Sequence, residues 1–186
     1  MSRSISEALE EGVSSTSEAL ALFDALEPVA IEAMVGTWRG EEFPTGHAMD
    51  GLLTAAGWYG KRFLDEESAD PLLFYTAGRS EAFAVDPAKV PAQLMTFESL
   101  PLPSTPGLHW IVLGARPVLQ TQQPKARLRM VEARGRVSAA MIYDDLPIID
   151  HFRRVDDATL IGMMDMRGMG RPYFFLLRRD EGVRIS

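Results

Sequence analysis

The residues of this chain best suited to proton chemistry sit close together in Tyr143-Asp-Asp-Leu-Pro-Ile-Ile-Asp150-His151-Phe-Arg-Arg154. Read as a strand after Pro147, the stretch puts Ile148, Asp150, Phe152 and Arg154 on one face. Ile149, His151, Arg153 and Val155 take the other, because side chains alternate across a strand. Either face mixes apolar with ionisable groups. Facing inward, Asp150 brings a carboxylate that needs a partner or a proton. His151 in that place brings an imidazole able to act as base, donor or metal ligand. In the next strand Asp165 shares a face with Thr159, Ile161 and Met163, and a second inward carboxylate would let acid and base roles be divided. With His47 added, the candidate catalytic set is His47, Asp150 and His151, with a Tyr or Arg to hold substrate. On a solvated face, Asp150, Arg153, Arg154 and Asp165 would instead pair as cross-strand salt bridges.

Other chemistries lack their residues. His47, His109 and His151 are far apart, and neither His-x-His nor His-Glu-x-x-His occurs, so no metal site is expected. The absence of cysteine excludes disulfides, thiolate metal sites and cysteine nucleophiles. There is no Gly-x-Ser-x-Gly elbow and no phosphate-binding loop, and Gly168-Met-Gly170 falls in a hairpin. A formal charge of −7 argues against nucleic acid as a partner. No apolar run approaches the ~20 residues that cross a bilayer, so membrane insertion is not expected. The first residues lack a signal-peptide apolar core, and a cytoplasmic location is expected.

Residues 1–35 read as a helical arm and 36–186 as one β-barrel domain. Ser15-Thr16-Ser17 supplies helix-starting residues before an amphipathic segment at 18–26. Pro28 opens a second helical turn that stops at Gly36, and this arm is expected to close one end of the barrel. In Gly36-Thr37-Trp38-Arg39-Gly40 the glycines allow a sharp turn or a close approach, while Thr37 and Trp38 favour an extended strand. Trp38 is expected to plug the closed end. Arg39 would stack on its indole or meet a ligand carboxylate. Residues 48–63 are rich in helix formers and read as a helix packed close to other backbone. Residues 71–76 and 81–85 read as a hairpin through Gly78. The stretch 87–106, with five prolines, reads as a long loop that could cover a pocket mouth. Residues 108–113 are apolar, and their length fits strand or helix. From 125 to 178, five short strands with tight turns form an antiparallel meander, which tends to curl and close.

The fold class is therefore mainly β with N-terminal helices: a small antiparallel calycin- or lipocalin-like barrel. Two features carry a family resemblance, the Gly36 to Gly40 pentapeptide and the run from Tyr143 to Asp157 with Gly162-Met-Met-Asp165 after it. In this order they resemble the bacterial GXWXG family, in which a GXWXG domain (here about 20–85) precedes a C-terminal domain of unknown function (here the meander, about 125–180). The resemblance implies architecture and no particular activity. A looser similarity is to nitrobindin-like and fatty-acid-binding-like barrels, whose longer Gly-x-Trp-x-Gly-x-Gly strand is broken here by Glu42. Nitrobindins imply haem held by a histidine.

The functional expectation is binding of a small apolar molecule of lipid, terpenoid or aromatic type. Ten methionines suit an adaptable interior. Candidate ligand contacts are Trp38, Arg39, Tyr75, His109, Tyr143 and Asp165. The alternative is a cofactor-free lyase or isomerase, with haem binding as a weaker one, and no cofactor is required. A homodimer could form by pairing an uncapped edge of the meander.

Overall fold

The computed structural model describes residues 13, 15–90 and 107–186. Helix α1 (Thr16–Ala25) is capped as expected, Ser15 Oγ accepting the Glu18 amide at 3.2 Å. A single turn, α2 (Ile31–Met34), leads into strand β1 (Gly36–Glu42). Next come α3 (Leu52–Ala56), β2 (Trp58–Phe63), β3 (Ala69–Tyr75) and β4 (Glu81–Ala84). A 3-10 turn at Pro87–Lys89 and α4 (Leu108–Leu119) precede the meander. Its strands are β5 (Ala126–Ala133), β6 (Arg136–Tyr143), β7 (Ile148–Arg154), β8 (Thr159–Met166) and β9 (Tyr173–Arg179), and a short β10 (Arg184–Ile185) follows.

All ten strands belong to one sheet, and a β3–β5 pairing joins eight of them into a ring. β1 lies between β2 and β9, so the pentapeptide strand links the N-terminal strands to the meander. β4 leaves the ring by pairing with the far end of β3, and β10 adds to it in parallel. The β3–β5 seam consists of the pair Ala69↔Ala126. The seam thus engages β5 at its first residue.

Several elements differ from the sequence reading. The helix expected over 48–63 is only α3. Gly57 ends it in a left-handed conformation and Trp58 starts a strand, so tertiary pairing overrides the helix-forming composition. The undecided stretch at 108 is helical. Residues 91–106 of the expected proline-rich loop lie outside the described residues. Helix α1 does not close a barrel end: Leu22 and Phe23 pack against Ile161, Met163 and Phe174 on the outer side of β8 and β9. The closing turn is α2, whose Met34 is fully buried with Trp38. No described helix is long and apolar enough to cross a membrane.

The pentapeptide explains itself at the closed end. Trp38 Nε1 donates to Met34 O at 2.7 Å, and the Arg179 guanidinium lies 4.4 Å from the ring. Gly36 adopts φ +131°, which a side chain would resist, and lets α2 turn directly into β1. A Cβ on Gly40 would fall 2.2 Å from the Trp58 indole, so this glycine makes room for the second tryptophan. Edge-to-face rings continue inward from Phe63 through Phe152 and Phe175 to Trp58, at 5.8, 6.2 and 5.8 Å.

Candidate functional site

Beyond that aromatic stack the described residues do not fill the barrel. A cavity of about 430 Å³ opens between the sheet and α3 and α4. Its wall is almost wholly apolar: Leu53 and Ala56 come from α3, Val112 and Ala115 from α4, Met164 and Phe175 from the meander. Met49 is a second methionine of the wall.

One polar cluster reaches this wall. Lys61 Nζ is 2.8 Å from Asp150 Oδ2, and both side chains are almost completely buried, at 3% and 1% exposure. The same ammonium donates to Pro71 O at 3.0 Å and to the Tyr143 hydroxyl at 3.4 Å. Tyr143 in turn donates to Asp150 Oδ2 at 3.5 Å. Burial, reinforced by the Asp150 charge, holds the Tyr143 phenol well above its usual range, so it stays protonated. Lys61 also sits 4.9 Å from the Phe175 ring centre and 5.9 Å from that of Trp58. Two buried polar atoms of wall residues have no hydrogen-bond partner: Asp150 Oδ1 and Trp58 Nε1.

A second cluster frames the cavity near α3. Glu42 accepts the Tyr173 hydroxyl at 2.8 Å, the Leu53 amide at 3.1 Å and the Thr54 hydroxyl at 2.6 Å. Burial first, then the Glu42 charge, raises the Tyr173 phenol well above its usual value. The residue that breaks the longer glycine motif thus ties α3 to the barrel.

The strand register sorts the expected site residues. Asp150 pairs with Met141 and Met164 and faces the interior, so His151 faces outward. Burial holds the His151 imidazole below its ordinary pKa, partly offset by the Asp165 charge. Asp165 lies opposite Ile149, on the outer side with His151, and is exposed, so Asp150 and Asp165 do not form an inward carboxylate pair. His47 accepts the Met49 amide at Nδ1 and stands edge-on to Tyr173 at 5.5 Å, outside the wall. The acid–base trio His47, Asp150 and His151 therefore does not converge.

Among the candidate ligand contacts, Tyr143 lines the cavity and Trp38 fills the closed end instead. Arg39 points outward and pairs with Glu41 at 3.3 Å; the guanidinium stacked on Trp38 is that of Arg179. Tyr75 packs outside the ring, edge-on to Tyr59 at 5.2 Å. His109 sits on α4 with Nδ1 3.2 Å from Ala56 O, fastening α4 to α3, and is not a wall residue. None of the three histidines lines the cavity, so a histidine-held haem would have no axial ligand there. Among the described residues no group of three His, Cys, Asp or Glu could hold a metal ion.

Lys61 and Trp58 escaped the sequence reading. They are three positions apart, which strict alternation assigns to opposite faces, but register shifts around Gly60 turn both inward. A lysine within the aromatic run Trp58-Tyr-Gly-Lys-Arg-Phe63 was the available signal.

Comparison with known proteins agrees with this architecture. Residues 21–78 match the family description "GXWXG protein", and residues 124–179 match a domain of unknown function, DUF4334. A crystal structure of a protein from Thermomonospora curvata is 33% identical, with a TM-score of 0.69 over 95% of each chain. No curated protein matches.

Proposed function

The chain belongs to the GXWXG family, and on that premise and the cavity just described we propose that it binds a small hydrophobic molecule inside its barrel. The observation that carries the reading is the contrast within one interior: aromatic rings fill it up to Trp58 and Phe175, and the described residues then leave a cavity of about 430 Å³. Native interiors close-pack and leave few voids larger than a water. A volume of this size is that of a small-molecule pocket, and an apolar wall with a few convergent polar groups is the usual composition of one. The wall suits an aliphatic, terpenoid or aromatic skeleton.

Native mass spectrometry of the purified protein and thermal shifts with a panel of such compounds test the reading. A ligand at one hundred times its Kd adds about 2.7 kcal/mol of stability, a rise of several degrees in Tm. Ala115→Phe, which fills the cavity from α4, should abolish the shift in a protein that remains folded. No co-purified molecule and no shift with any compound would defeat the proposal. A catalytic reading has less support, because Asp150 alone of the expected acid–base groups reaches the wall.

A further inference from the structure

We infer that two copies of this chain join through the free half of β5, pairing antiparallel about a two-fold axis at Val131. β5 is held by β6 along its whole length, but on its other side β3 pairs only with Ala126. The direction of its backbone groups follows from the turn that ends it. Arg134 and Gly135, at φ +54° and +75°, form a two-residue hairpin turn closed by the pair Ala133↔Arg136. Hydrogen-bonded and non-bonded pairs alternate from there, so Ala133, Val131 and Arg129 bond β6, while Glu132, Met130 and Leu128 point their N–H and C=O away from it. Leu128 shows the pattern: its N–H donates to Glu66 O at 2.8 Å, and its C=O accepts from the Arg129 guanidinium at 2.7 Å. Met130 and Glu132 have no such backbone partner among the described residues. An open row of this kind is a template for another strand. Arg129, whose charge could blunt the edge, is turned back onto Leu128 O and Glu67.

The open stretch fits its own reverse. A two-fold axis perpendicular to an antiparallel pair places one residue opposite itself. Centred on Val131, it sets Met130 of each copy against Glu132 of the other, so four interchain hydrogen bonds form and every open group is used. Centring on Met130 would call on Leu128, which is already occupied. Exposed apolar side chains gather at the same place: Val35, Leu64, Met130 and Val137 are 41%, 49%, 47% and 53% exposed. Val35 precedes Gly36, the partner of Phe63, and so falls beside Leu64; the turn that follows Leu64 reaches β5 through Glu66. Val137 pairs with Glu132, on the face that Met130 shares. Because β5 runs toward the closed end of the barrel, an antiparallel copy brings the two closed ends together. A foreign strand could take the same hydrogen bonds, but a second copy also meets this apolar rim with an identical one, the isologous contact of a closed dimer.

Sedimentation of the full chain from micromolar to millimolar concentration should approach twice the 20.6 kDa chain mass. Glu132→Pro removes an outward N–H and no bond to β6, a setting in which a strand tolerates proline. It takes away two of the four interchain bonds and should raise the dimer Kd by about 10-fold or more, with unfolding still cooperative. Glu132→Ala keeps the backbone groups and should leave Kd nearly unchanged. The chain has no cysteine, so Val131→Cys supplies a single thiol on the axis. There the opposed Cα atoms of a non-hydrogen-bonded pair lie about 4.5 Å apart, within disulfide reach. Mild oxidation should link this variant to its own copy and leave Arg127→Cys, well away from the axis, unlinked. The cysteine pair decides the matter if Glu132→Pro does not fold. A monomer at every concentration would overturn the inference and leave the edge to a strand of another protein. A dimer unaffected by Glu132→Pro, or one in which Arg127→Cys links as fast as Val131→Cys, would overturn it too.

Discussion

The barrel holds two buried tryptophans, and only one has its indole N–H paired. Trp38 donates to Met34 O at 2.7 Å and is covered by Arg179, with aromatic rings packed behind it. Trp58 lies toward the end covered by α3 and α4, is 6% exposed, and has no partner for Nε1. One end is built as a protein core, with volume filled and polar atoms satisfied. The other keeps empty volume, a buried ion pair and unpaired atoms, all of which lower stability. Two halves of one interior, made by the same strands, thus differ in what they contribute: the first holds the ring together, and the second frames the cavity under α3 and α4.

The largest test of this contrast is the ion pair at the boundary. Asp150→Leu or Lys61→Met alone leaves a buried charge unpaired and should cost about 3–5 kcal/mol in urea unfolding. The double variant should recover most of that loss. Equal stability of single and double variants would show that the pair does not divide the interior. Gly40→Ala comes next. Its Cβ would meet the Trp58 indole, and overpacking of this kind costs about 1–3 kcal/mol. The displaced ring should appear as a changed tryptophan emission and weaker binding of a fluorescent apolar compound.

A finer comparison is Trp38→Phe against Trp58→Phe. Both lose similar apolar area, but only the first loses a hydrogen bond, so it should cost about 1 kcal/mol more in denaturant titrations. Equal costs would erase the distinction between the two ends. The smallest effect lies outside the ring. His151 has a folded-state pKa below its ordinary value because it is buried; Asp165 and Asp150 favour its protonation and Arg153 opposes it. The unfolded chain therefore binds the proton more readily. Stability should fall as pH drops from about 6.5 toward the lower folded-state value. His151→Gln should flatten that part of the pH profile, and an unchanged profile would show that other groups set it.

The meander was legible because its signals are local: alternation in 125–130, turn residues at Asp156-Asp157 and at Gly168, and β-branched and aromatic runs between them. The capped helix at Thr16 was legible for the same reason. The strand from Trp58 was not, since three glycines and neighbouring helix formers conceal its pairing with both β1 and β3. Asp150 reads as a candidate from its own strand, but its direction depends on register with β6 and β8, which a single strand cannot reveal. Lys61 is hidden from sequence because the irregularity at Gly60 breaks the alternation by which faces are read. Asp165, Arg39 and Tyr75 were sound chemical candidates on the wrong side of the sheet.

The position of β1 also fixes an order of events when the chain is made. Its residues emerge early, yet one of its two partners is β9, and the guanidinium over Trp38 contacts backbone 144 and 146 residues earlier in the chain. At ribosomal rates of about 5–20 residues per second, that is a wait on the order of ten seconds or more. During this interval the pentapeptide strand has β2 on one side and an open edge on the other, at which a neighbouring nascent chain could pair. The segment that begins the barrel is the last to be enclosed by it.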